Sequence, residues 1–158
     1  MRIALFATAA LLLVVPAVWA ASRPPAGSLS IEGGRGSVAI RGSGVVVGRL
    51  EKGDLQIVDL SPNDQWDPRV NGLPQTRLLT RGKDINFFIP GGRYRVTVRG
   101  EGVAISARGA GVAVVKAKDG ADSGTIAVGD GAPTPFPLEA SRMTFGGVDG
   151  PTTKVLLP

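Results

Sequence analysis

The residues in this chain best equipped for chemistry are carboxylates. Asp54, Asp59, Asp64, Asp67 and Asp84 lie in or around Ser61 to Gln75, a stretch that also holds three prolines, two asparagines and Trp66. Two carboxylates at the right separation, one with a raised pKa, are enough for glycoside hydrolysis. Asp59, Asn63, Asp64 and Asp67 also offer hard oxygen atoms of the kind calcium takes, although their spacing does not match an EF-hand loop. Against both readings stands the ordinary use of Asp and Asn in such loops, which is to cap turns by bonding the backbone. Turn capping is the expectation here.

Other chemistries are closed off. The chain has no histidine and no cysteine. That removes Ser-His-Asp and Cys-His catalysis, histidine metal sites, thiol nucleophiles and a lipoprotein-type cysteine anchor. There is no P-loop, and the Gly-x-Gly pairs join strand to strand, so they lack the helix N-terminus that would hold phosphate. The expectation is a non-catalytic domain without a cofactor.

Two features point to binding. Trp66 stands in the middle of the long loop, between Gln65 and Asp67. It is expected to fold back and plug one end of the core, as large aromatics do; the alternative is a platform for a sugar ring or a partner. The second feature is arginine. In Arg93 to Arg99, alternate residues share a face, so Arg93, Arg95 and Arg99 line up opposite Tyr94, Val96 and Val98. Arg41 and Arg108 occupy related positions. Together these five could meet an acidic envelope polymer or an anionic membrane surface. The competing reading is a solvated face that guards edge strands against aggregation. Nucleic acid is not an expected partner, because aromatic stacking residues are scarce.

These residues must be carried by strands. Tyr94 to Val115 reads as three strands separated by glycine pairs, and Arg-Gly-x-Gly-Val-x-(Val/Ile) occurs at 41–47, 99–105 and 108–114. Glycine supplies the positive φ angles of hairpin turns, so each signature is expected to fold the chain back on itself. No helical period of useful length appears, and the 23 glycines are spread at turn spacing, as in a small sandwich or barrel. Residues 38–47 also align with 96–105 at an offset of 58, which suits either a pseudo-twofold sandwich or one hairpin sequence used twice. The fold class is thus all-β: a single antiparallel β-sandwich or partly open barrel with glycine-turn hairpins. The nine-residue spacing of the last two signatures leaves a short β-solenoid as the alternative. The expected core comprises Val38, Ile40, Val45, Val47, Leu55, Ile57, Phe87, Ile89, Tyr94, Val96, Val98, Val103, Ile105, Val112 and Val114.

The ends complete the organisation. Met1-Arg2, an apolar run from Ile3 to Trp19 broken by Thr8, and Val18-Trp19-Ala20 read as a signal peptide over 1–20. Residues 21–27 are a flexible lead-in, and 28–158 the β domain. Losing the leader removes only Arg2 from the charge count, leaving 17 basic and 13 acidic residues, a net +4. The expectation is an exported domain, periplasmic, wall-associated or extracellular, with a structural or binding role at the cell envelope.

Overall fold

The computed structural model of the protein describes residues 27–74, 77–118, 124–147 and 155–156. The leader, and the lead-in as far as residue 26, lie outside the described residues. The chain is all-β, and every strand pairing is antiparallel. Three long strands dominate: β1 (Gly27–Asp59), β4 (Arg77–Ile89) and β5 (Arg93–Ala117). Short strands complete the set: β2 (Arg69–Val70), β3 (Leu73–Pro74), β6 (Thr125–Val128), β7 (Thr134–Pro135), β8 (Ser141–Phe145) and β9 (Val155–Leu156).

Each long strand is bent into legs of about eight residues, and pairing sorts the legs into two rows. In the first row 77–83 pairs with 52–58, then 52–59 with 94–101, 93–99 with 37–43, 37–43 with 110–116, and 111–115 with β8. In the second, β2 pairs with 87–88, then 85–89 with 46–50, 44–49 with 104–109, 105–109 with 27–31, and 29–32 with β6. Successive legs of β1 alternate between the rows, and so do those of β5. The two rows form the layers of a sandwich not closed into a barrel. The short-solenoid alternative is overturned, because solenoid coils stack in parallel and these legs do not. The nine-residue spacing is the length of one leg.

The glycine signatures are corners rather than hairpin turns. Residues 37–41 do not pair with 45–49; both pair with β5 instead. At each corner glycines face each other across the ladder: Gly44 with Gly109, and Gly53 and Gly36 with Gly100. A side chain has no room there. A Cβ on Gly44 would collide with the Arg108 carbonyl oxygen, and one on Gly53 with that of Arg99.

A single core lies between the layers, with Tyr94 and Phe145 its largest fully buried side chains. Most expected core residues are in it, but four are not. Val45 and Val47 are exposed and Val112 and Val114 half-buried on outer faces; Val46, Ala113 and Val115 are buried instead. The reason is the Gly44–Gly109 corner. The ladder runs Ser43–Ala110, Gly44–Gly109, Val45–Arg108 without a slip, so the inward parity of Ile40 and Ala107 carries straight through. At the other corner Gly36–Gly100 is followed by Gly34–Val103, and Gly102 sits at φ 63°. This is a bulge, and it turns Val103 and Ile105 inward as expected.

Candidate functional site

The first row presents an outer face whose residues follow from register. Across it run Val58–Arg95–Arg41–Val112, then Gln56–Thr97–Ala39–Val114–Arg142, then Arg81–Asp54–Arg99–Ser37–Lys116. Arg93 stands opposite Ser43 at one end. Four of the five candidate arginines, Arg41, Arg93, Arg95 and Arg99, are therefore brought together, all exposed. Arg108 is not with them. It pairs with Val45 and Ser28 and is exposed on the opposite face, because the corner at Gly109 moves the chain to the other layer.

Sequence reasoning missed three members of this face: Arg81, Lys116 and Arg142. The alternation around each was legible, but which legs lie side by side was not. The seven basic residues are accompanied by one acid, Asp54, giving the face a net +6 where the whole chain carries +5. The remainder of the protein therefore nets −1, and the positive charge is concentrated on one side. Arg81 donates to both Asp54 oxygens, its Nη2 at 3.0 Å. That hydrogen bonding holds the Asp54 carboxyl below its usual value, against an opposing effect of burial and with lesser help from the charges of Arg81 and Arg99.

The 61–75 loop is tied to the Arg93 end of the face. The Leu60 amide donates to the Arg93 carbonyl at 2.8 Å, and the Arg93 amide to Ser61 Oγ at 3.3 Å. Asp59 Oδ1 accepts the Ser61 amide at 2.7 Å, and Asp64 Oδ1 the Trp66 amide at 2.9 Å. Both are the turn-capping bonds expected of Asp. Asn63 and Asp67 are exposed. Among the described residues no three His, Cys, Asp or Glu side chains gather where they could hold a metal ion. Asp84 lies 3.9 Å from Arg49, on another corner.

Trp66 does not plug the core. It is 51% exposed, and its ring rests on the Pro90–Gly92 turn, where a Cβ on Gly91 would come 3.2 Å from the ring. The bond from the Trp66 amide to Asp64 caps the turn that carries the indole, which lies against Gly91, two residues before Arg93.

Comparison with protein-family models, with curated proteins and with solved structures finds no match. The functional reading therefore rests on these residues and their geometry.

Proposed function

We propose that this is an exported, non-catalytic binding domain of the cell envelope that uses the outer face of the first layer to hold an acidic polymer. The observation that carries the reading is the net +6 gathered on that face by Arg41, Arg81, Arg93, Arg95, Arg99, Lys116 and Arg142 against Asp54 alone. A flat, arginine-studded sheet suits repeated anionic groups, because guanidinium forks bind carboxylate or phosphate bidentately and stay charged at any working pH. Concentrated charge of one sign also steers oppositely charged partners. Trp66 adds an apolar surface at the Arg93 end on which a sugar ring could stack, so an acidic polysaccharide fits the two features together.

The test is retention on immobilised dextran sulfate. Arg41, Arg93 and Arg95→Ser together should elute at distinctly lower salt than the wild type, while Arg108→Ser, on the opposite face, should elute with the wild type. Equal losses from both variants would mean only general basicity and would refute a defined face. Trp66→Ala should leave the salt of elution unchanged but weaken binding to a uronic-acid polysaccharide. Stronger binding to vesicles of anionic phospholipid than to either polymer would replace the polymer reading with a membrane one.

A further inference from the structure

At the Arg99 end of the basic face the sheet has a trough floored by small residues. Four adjacent legs each bring a small residue to the same level: Gly53, Gly100, Gly36 and Ala117, paired in that order across the ladder. The glycines are demanded by the corner itself. A Cβ on Gly36 would collide with the Lys116 carbonyl oxygen, and one on Gly100 with that of Lys52. Their absence of side chains leaves a bare backbone floor crossing the strands. At the usual spacing between strands it is about 14 Å long.

The rims are basic. On one side stand Lys52, Arg35 and Lys118, where Lys118 donates its amide to the Arg35 carbonyl at 2.9 Å. On the other stand Arg99 and Lys116, both opposite Ser37. All five are exposed. The two rim acids are already engaged, Glu101 with Arg35 at 3.7 Å and Asp54 with Arg81. A cleft of about 690 Å³ lies over this floor, lined by Lys52, Arg99, Lys116 and Lys118. The corner does not explain the lysines. The corner at the other edge, Gly44–Gly109, has the same crowded glycines, yet beside them stand Ser43, Ala110 and Val45 and a single basic residue, Arg108.

We infer that the trough is the seat of the polymer: a linear polyanion lies along the Gly53–Gly100–Gly36 floor, across the strands, with its anionic groups between the two basic rims. This rests on the polyanion reading of the whole face and makes it specific. The bare floor lets the chain approach the backbone closely, and lysines on both sides contact successive charges without fixing their orientation. Such a seat accepts an unbranched chain and rejects one that carries a branch at every unit.

The experiment is a titration of the protein with sodium tripolyphosphate at fixed ionic strength, followed by amide chemical shifts and by calorimetry. The amides of Gly36, Gly53 and Gly100 should move first and furthest. Lys52→Ala with Lys118→Ala should weaken binding by about fivefold, the loss expected for two exposed charge contacts; Arg69→Ala with Arg108→Ala, both exposed on the other layer, should change it by less than twofold. Both pairs are exposed, and unchanged spectra elsewhere will show that the fold is kept. Shifts centred on Arg41, Arg93 and Arg95 with the glycine amides unmoved would overturn the trough while the basic face stood. No shifts at any position, even at low salt, would overturn both.

Discussion

At the residue scale, two buried positions test the packing. Tyr94 is fully buried, and its hydroxyl has no hydrogen-bond partner among the described residues. Burial pushes its pKa from 10.0 up to about 12. Below pH 10 the hydroxyl is protonated in both folded and unfolded chains, so stability is unaffected. Between pH 10 and about 12 only the unfolded chain gives up the proton, so stability falls across that window, by on the order of 3 kcal/mol in total. Denaturant melts from pH 8 to 12 should show this fall, and Tyr94→Phe should abolish it. Because the hydroxyl is unpaired, Tyr94→Phe at pH 7 should be neutral or stabilising by about 1 kcal/mol; a loss of that size would show that the hydroxyl is bonded after all. Gly48 tests sterics alone. Its backbone is ordinary, but a Cβ would run into the Phe87 ring. Gly48→Ala should destabilise by about 1–3 kcal/mol, the usual cost of overpacking, and Phe87→Leu in the same chain should recover part of it.

At the element scale, the corners carry the fold. Gly33 and Gly44 both have positive φ, 65° and 122°, but a Cβ at Gly33 meets nothing within 4 Å while one at Gly44 meets the opposing strand. Gly33→Ala should therefore cost about 1 kcal/mol, the conformational penalty alone. Gly44→Ala should cost at least about 3 kcal/mol, because the ladder itself must open. Thermal melts of the two variants side by side decide this, and equal losses would mean that the corner is not tightly packed. The same corners mark how far the sequence could be read. Strand alternation was legible, and it placed Val38, Ile40, Tyr94, Val96 and Val98 inside and Arg93, Arg95 and Arg99 outside. What Arg-Gly-x-Gly-Val does was not legible, because a crossing between layers and a hairpin turn both need glycine. At 41–47 the strand runs straight through and Val45 points out; at 99–105 a bulge absorbs one residue and Val103 points in. Only the partner strand distinguishes the two cases. The repeat, in contrast, has a structural meaning: its two copies lie side by side, with Val38 opposite Val98 and Ile40 opposite Val96.

At the scale of the whole molecule, leg order decides what the surface can do. Arg81, Lys116 and Arg142 join the candidate arginines because β4 and β8 lie in the same layer, and Arg108 leaves them because one corner intervenes. The result is a protein with one strongly basic side and a nearly balanced remainder. The trough crosses the strands at one end of that side, and Trp66 lies at the other. The most direct measurement is co-sedimentation of the purified protein with envelope fractions at low and at high salt. The account predicts binding at low salt that high salt abolishes, since exposed charges are screened within about 10 Å at 0.1 M, and that Arg41, Arg93 and Arg95→Ser weakens. Binding that survives high salt, or no binding at either salt, would contradict it.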